Sequence, residues 1–276
     1  MTVISQLLNE PGVPPHEAKR LLTVATGRSL RELLADDEVG TEEAQRYLGL
    51  VRQRLAGVPL QHLEGTVQFG PVELRTDGRA LVPRPETERL WEQAVDALGE
   101  AGPGTVIVDL CTGSGNLALA LKHRFPPAGV YATDLSAGAI ALAEENSRAL
   151  GLDVTFLQGD LFAPLPAGLY ERVDLLVANP PYVADSEFGG LPIDVRDHDP
   201  RQALVAGPRG DEVLERIAQD AYWWMGTGGW LFCEIGETQS ERALGLFGSY
   251  LDVEVRSDLA GRPRILVGRK GGRCCV

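Results

Sequence analysis

The sequence predicts an α/β fold: a largely parallel sheet wrapped by helices, preceded by a small helical domain. Three observations predict it. From Thr105 onward, short apolar runs alternate with segments of helical spacing, which is how parallel strands are connected. Residues 65–82 switch to a period of two, the mark of half-buried strands, and the first sixty or so residues carry only helical periodicity. A length of 276 residues suits two unequal domains.

Near the N-terminus, Ala18, Leu21, Leu22 and Ala25 share one face of a helix over Glu17–Thr26. Leu30, Leu33 and Leu34 form the apolar stripe of another over Ser29–Ala35. Thr41 reads as an N-cap hydroxyl ahead of Glu42 and Glu43, and the helix runs on until Gly57 and Pro59 stop it. Val67 and Phe69, then Val72 and Leu74, predict two strands joined through Gly70-Pro71. Pro83-Arg84-Pro85 stiffens the entry to a helix ending at Leu98. Strands follow at Val106–Leu110, Gly129–Asp134, Asp153–Gln158, Val173–Ala178 and Trp230–Ile235. Helices lie over Leu117–His123, Ala137–Leu150 and Asp211–Trp224, and near Ser240–Gly248. Two last strands fall near Leu251–Arg256 and Arg264–Gly268. Trp223, Trp224 and Trp230 read as core of their helix and strand.

Composition excludes several classes. The net charge is −13, and its distribution is uneven: −2 over residues 1–80 and −11 over residues 81–276. Grip on a nucleic-acid backbone needs a basic stripe, so the charge favours a small molecule or a basic protein as partner. No apolar run is long enough to span a bilayer and the first residues lack a signal-peptide pattern, which predicts a cytoplasmic protein without a membrane partner. The four cysteines do not make a disulfide framework; Cys111 and Cys233 sit in apolar runs, and Cys274-Cys275 in a frayed tail. No Cys/His spacing suits a metal. His62, His123 and His198 lack triad partners and read as surface or packing residues.

The first chemistry-bearing motif is Asp109-Leu110-Cys111-Thr112-Gly113-Ser114-Gly115, which follows a strand and opens a helix. Gly113 and Gly115 let a backbone approach a ligand that a Cβ would obstruct. Ala118 stands where the dinucleotide fingerprint has its third glycine, a position that also tolerates alanine, so the turn alone leaves nicotinamide and methyl-donor chemistry both open. Asp134 ends the next strand, where a carboxylate can accept both ribose hydroxyls, and Asp160 ends the one after, where a carboxylate can accept an adenine amine.

The second motif is Asn179-Pro180-Pro181-Tyr182, after the strand ending at Ala178. Proline holds Asn179 out of the helical region. The Asn179 side-chain oxygen and the Pro180 carbonyl can together accept both hydrogens of a planar –NH2 group, and Tyr182 offers a ring face to stack on it. Glu234 is a candidate to orient Tyr182, with a plain structural hydrogen bond as the alternative.

With these two motifs the chain resembles class I, Rossmann-like methyltransferases that modify exocyclic or amide nitrogens. Within them it is similar to peptide chain release factor-glutamine N5-methyltransferases along nearly its whole length. The resemblance is carried by Gly57-Val58-Pro59-Leu60-Gln61-His62-Leu63-Glu64-Gly65, Leu81-Val82-Pro83-Arg84-Pro85-Glu86-Thr87-Glu88, Ala203-Leu204-Val205-Ala206-Gly207, Gly228-Gly229-Trp230 and Glu234-Ile235-Gly236. Sister enzymes acting on a ribosomal protein typically differ at Pro85-Glu86-Thr87-Glu88. The resemblance implies a substrate-recognition domain over 1–64, a β-hairpin linker over 65–85 and an S-adenosylmethionine-dependent domain over 86–276. It implies S-adenosyl-L-methionine bound through Asp109, Cys111, Thr112, Gly113, Ser114, Gly115, Asp134, Asp160, Leu161 and Asn179. It further implies a release factor glutamine, in a Gly-Gly-Gln loop, held by Asn179, Pro180, Pro181 and Tyr182, with Asn179, Pro180 and Tyr182 assisting transfer. An adenine-N6 nucleic-acid methyltransferase and a ribosomal-protein glutamine methyltransferase are the alternatives, and a monomer is the expected state.

Overall fold

A computed structural model of the chain describes residues 2–9 and 12–272; Cys274 and Cys275 lie outside the described residues. The N-terminal unit contains α1 (Pro15–Thr26), α2 (Leu30–Asp36), α3 (Thr41–Leu55) and α4 (Leu60–Glu64). Their apolar stripes converge on a core of their own, with Leu21, Leu22, Leu33 and Tyr47 fully buried. Ser29 caps α2 in a reciprocal box with Glu32. Thr41 is not the cap of α3: Gly40 holds that place, and the Glu43 carboxylate accepts the Gly40 N–H at 2.7 Å. The N3 carboxylate thus satisfies the N-cap residue's own N–H, a different donor from the one a cap hydroxyl takes.

The hairpin consists of β1 (Thr66–Phe69) and β2 (Val72–Arg75), paired with Phe69 opposite Val72. Phe69, Val72 and Leu74 are buried in the same apolar cluster as one face of the main sheet. Helix α5 (Pro85–Leu98) then begins with proline in its first turn, as the sequence predicts.

The rest alternates as β3 (Val106–Leu110), α6 (Asn116–Arg124), β4 (Gly129–Asp134), α7 (Ala137–Leu150), β5 (Thr155–Gln158) and β6 (Val173–Ala178), followed by α8 (Glu212–Trp224), β7 (Met225–Glu234), α9 (Ser240–Leu246), β8 (Leu251–Ser257) and β9 (Pro263–Arg269). These strands form one seven-stranded sheet in the order β8-β9-β7-β6-β3-β4-β5. The strands from β7 through β5 pair in parallel, and β9 runs antiparallel to both β7 and β8. Both faces of the sheet are covered. Ile107, Leu175, Val177 and Phe232 point to the side of α5, α6 and the hairpin; Val108, Leu110, Leu176 and Leu231 point to the side of α8 and α9. Two-sided burial explains why these strands read as continuous apolar runs.

The order places β3 beside β6, while the chain leaves β3 toward β4 and leaves β6 toward β7. The strand connections therefore part between β3 and β6, and a crevice opens at their C-terminal ends, where ligands bind in this kind of sheet. Trp223 is a correction: at 47% exposed it lies on the surface side of α8 and is no core residue. Its ring instead meets Tyr222 edge-on.

Candidate active site

Both sequence motifs stand at the crevice. A cavity of about 300 Å³ is lined by Cys111, Thr112, Gly113, Asp134, Asp160, Leu161, Asn179 and Pro181, together with the 79–84 segment and parts of the 200–206 and 213–216 stretches. Asp109, Ser114, Gly115, Pro180 and Tyr182 do not line it. The structure gives each of these another place.

Asp109 is fully buried at the end of β3. Its Oδ2 accepts the Thr112 hydroxyl at 2.5 Å and the Ala118 N–H at 3.1 Å, so the carboxylate braces the turn from behind. Burial pushes its pKa up to about 7. Ser114 is likewise buried, and its carbonyl accepts from Asn146 at 3.0 Å. A Cβ on Gly115 would meet Leu119 Cδ1 at 3.0 Å and the Ala143 Cβ at 3.2 Å, so this glycine serves the close packing of α6 on α7 and not ligand approach. Gly113 is the glycine at the cavity; its φ of +56° is one that favours glycine, and a Cβ there would meet only the Ala80 Cβ, at 3.8 Å. Cys111 and Leu161 adopt left-handed backbone at the cavity wall without being glycine, a strain found at ligand sites.

Asp134 faces the cavity from the end of β4. One carboxylate oxygen accepts the Gly113 N–H at 2.9 Å and the other the Ser136 N–H at 2.8 Å. Burial raises its pKa while those two backbone bonds oppose the rise. Each oxygen keeps a lone pair for a further donor. Next to it, Leu135 is 62% exposed although it lines the cavity, and Leu161 lines it as well. A carboxylate with spare acceptors beside two apolar walls fits a ribose carrying a flat base. Asp160 reaches the same cavity but is already paired with Arg216 at 2.5 Å.

On the other side of the crevice, Asn179 lines the cavity and donates Nδ2–H to the Thr87 hydroxyl at 3.1 Å. Thr87 in turn donates to the Glu234 carboxylate at 2.7 Å. Tyr182 donates its hydroxyl to the other Glu234 oxygen at 3.3 Å, while its ring lies 5.6 Å from the Arg264 guanidinium. Burial, with the nearby Glu234 charge, raises the phenol pKa, so it stays protonated and donates. The stacking face expected of Tyr182 is thus a buttress behind the cavity. Pro180 is buried.

Residues 2–65 match the PrmC N-terminal domain, and residues 93–190 match the Methyltransferase small domain. A release factor glutamine methyltransferase of Deinococcus radiodurans is 39% identical, over 99% of this chain and 98% of its own length. One of Bordetella pertussis is 40% identical, over 97% and 99%. The chain belongs to the release factor glutamine methyltransferases. Solved structures share its fold: a T. thermophilus 16S rRNA N2 G1207 methyltransferase in complex with AdoMet and guanosine (TM-score 0.54, 18% identical, 74% of this chain and 49% of that one) and a methyltransferase from Pyrococcus furiosus (0.51, 16%, 72% and 89%).

For a member of this family, sequence reasoning missed several residues at the crevice. Arg84 pairs with Asp199 at 2.7 Å, Arg216 with Asp160, and Thr87 joins Asn179 to Glu234. Arg84 and Thr87 fall in the stretch that carries the family resemblance, which was the available signal. For Asp199 and Arg216 no local pattern marks them. Among the described residues, no helix is long and apolar enough to cross a membrane.

Proposed function

We propose that Asn179 and Pro180 hold the side-chain amide of a release factor glutamine while Asp134 and its neighbours hold the methyl donor. The chain is a protein-glutamine N-methyltransferase, and S-adenosylmethionine is its methyl donor. When bound, that donor supplies an electrophilic sulfonium methyl group. The observation that carries the reading is the juxtaposition of Asn179 with the Asp134 side of one cavity.

An amide nitrogen is a weak nucleophile because its lone pair is delocalised into the carbonyl. Asn179 Oδ1 accepts one of its hydrogens and the carbonyl of Pro180, whose ring is buried between the wall residues Asn179 and Pro181, accepts the other, which holds the lone pair toward the rest of the cavity. Such positioning supplies roughly 7–11 kcal/mol of barrier lowering in favourable cases. The same acceptors stabilise positive charge as it grows on nitrogen. Tyr182, Thr87 and Glu234 hold this wall in place, and the surplus proton leaves to water. Asp134 would accept the ribose hydroxyls, Leu135 and Leu161 would flank the adenine, and Asp160, paired with Arg216, would be the carboxylate nearest its amine.

The same reading gives the helical unit over 1–64 the recognition of the release factor and places the glutamine in a Gly-Gly-Gln loop, narrow enough to enter the cavity. A cytoplasmic monomer without a nucleic-acid or membrane partner belongs to it. The test is to incubate the full chain with labelled S-adenosylmethionine and either a release factor, the same factor with its glutamine replaced, or DNA oligonucleotides. Label on the intact factor alone is expected; label on DNA adenine with none on the factor would refute the reading.

A further inference from the structure

We infer that Thr87 is a positioning residue: through its bond to Glu234 it fixes which end of the Asn179 amide faces the cavity. This rests on the reading of Asn179 as an acceptor for the substrate amide. The three side chains come from three elements, α5, β6's C-terminal end and β7, and meet behind the cavity wall. Thr87 is fully buried and Glu234 is 2% exposed.

The number of hydrogens available fixes the orientation of the Asn179 amide. Burial raises the Glu234 pKa, while the Thr87 and Tyr182 hydroxyls and the Arg264 guanidinium favour its ionised form; as a carboxylate it offers only acceptors, and a hydroxyl has a single hydrogen. Thr87 gives that hydrogen to Glu234 at 2.7 Å, and Tyr182 gives another to the second oxygen at 3.3 Å. The Thr87 oxygen is then left only as an acceptor. Asn179 must meet it with Nδ2, as it does at 3.1 Å. An amide that turns its –NH2 one way turns its oxygen the other, so Oδ1 is the end left for the cavity. The reverse orientation would set two acceptors against each other in a buried site. Substrate –NH2 needs an acceptor, and this relay supplies one by elimination. It also gives Pro85-Glu86-Thr87-Glu88 a physical purpose: proline in the first turn fixes the helix start, and the turn delivers Thr87 to the ends of β6 and β7.

The experiment compares full-length Thr87→Val, Thr87→Ser and Glu234→Gln, with Asn179→Ala as reference. It reads kcat and KM for a release factor, and cofactor Kd by calorimetry. Valine keeps the shape of threonine without the hydroxyl, so kcat falls roughly 10–100-fold while cofactor Kd is unchanged. Serine restores the hydroxyl and most of kcat. Glu234→Gln can donate to Thr87 and reverse the relay, so it loses kcat despite its matching shape. Wild-type kcat in Thr87→Val, equal loss in Thr87→Ser, or a parallel loss of cofactor affinity overturns the inference. A fully active Asn179→Ala instead overturns the reading beneath it.

Discussion

The Arg84 guanidinium meets the Asp199 carboxylate at 2.7 Å across 115 positions of sequence, at the edge of the cavity. Asp199 has no exposed side-chain surface, whereas Arg84 is about one-third exposed. Burial raises the Asp199 pKa and Arg84 opposes the rise. Asp199 Oδ1 also accepts the Val82 N–H at 3.4 Å. The pair fastens the segment entering α5 to the stretch that precedes Pro200, and Arg84 and Pro200 line the cavity. Arg84→Ala strands a buried carboxylate and should cost about 2 kcal/mol, the low end for such pairs because Arg84 is partly solvated. Adding Asp199→Asn should recover part of that loss. Urea unfolding of the two variants checks it; equal stability of Arg84→Ala and the parent would show that the pair contributes nothing.

Asp134 offers a sharper handle on cofactor binding. Its two oxygens are each held by a backbone N–H and keep room for one more donor. Asp134→Ala should weaken S-adenosylmethionine binding by about 1.5–3 kcal/mol, the worth of charge-assisted hydrogen bonds. Calorimetry decides, and an unchanged Kd removes Asp134 from the site.

The buried Asp109 should leave a mark on stability against pH. Its folded pKa, pushed up to about 7, lies above the unfolded value, so the native state binds more protons between the two. Stability from this group is therefore fully present below about pH 4, is lost as pH rises to about 7, and changes no further above that. Asp109→Asn can still accept from Thr112 and Ala118 but cannot ionise. Its stability should decline less than the parent's over that interval, by a few kcal/mol at about pH 8. Matching slopes for the two proteins would show that Asp109 does not titrate there.

Sequence reasoning reached the two motifs because each is a local object: a strand, a special turn, the next element. Gly113 and Asn179 were legible for that reason. Gly115 was misread because its Cβ would strike Leu119 and Ala143, and nothing local says that α7 passes so close. Asp109 looked like a ligand because it begins the motif, yet its partners Thr112 and Ala118 turn it inward. Thr87 and Glu234 lie 147 positions apart, so their bond exists only once α5 packs against β7. Trp223 followed the apolar pattern of α8 and still faces outward.

The hairpin predicts where the chain can be cut. Phe69, Val72 and Leu74 belong to the core of the sheet, while the helices before Thr66 have a core of their own. A 66–276 fragment should fold, bind cofactor and methylate release factor poorly. A 76–276 fragment loses three buried side chains, each worth about 2–5 kcal/mol, and should fail to fold. Thermal unfolding of the two separates them; equal stability would show that the hairpin is only a connector.

In the proposed reaction Asn179 accepts a hydrogen from the substrate amide. The most direct measurement is kcat for methyl transfer to a release factor by Asn179→Ala, beside its cofactor Kd. One of the two –NH2 acceptors is then missing, so kcat should fall roughly 10²–10³-fold while S-adenosylmethionine binds nearly as before. Turnover at the parent rate, or a loss explained wholly by weaker cofactor binding, would contradict the account.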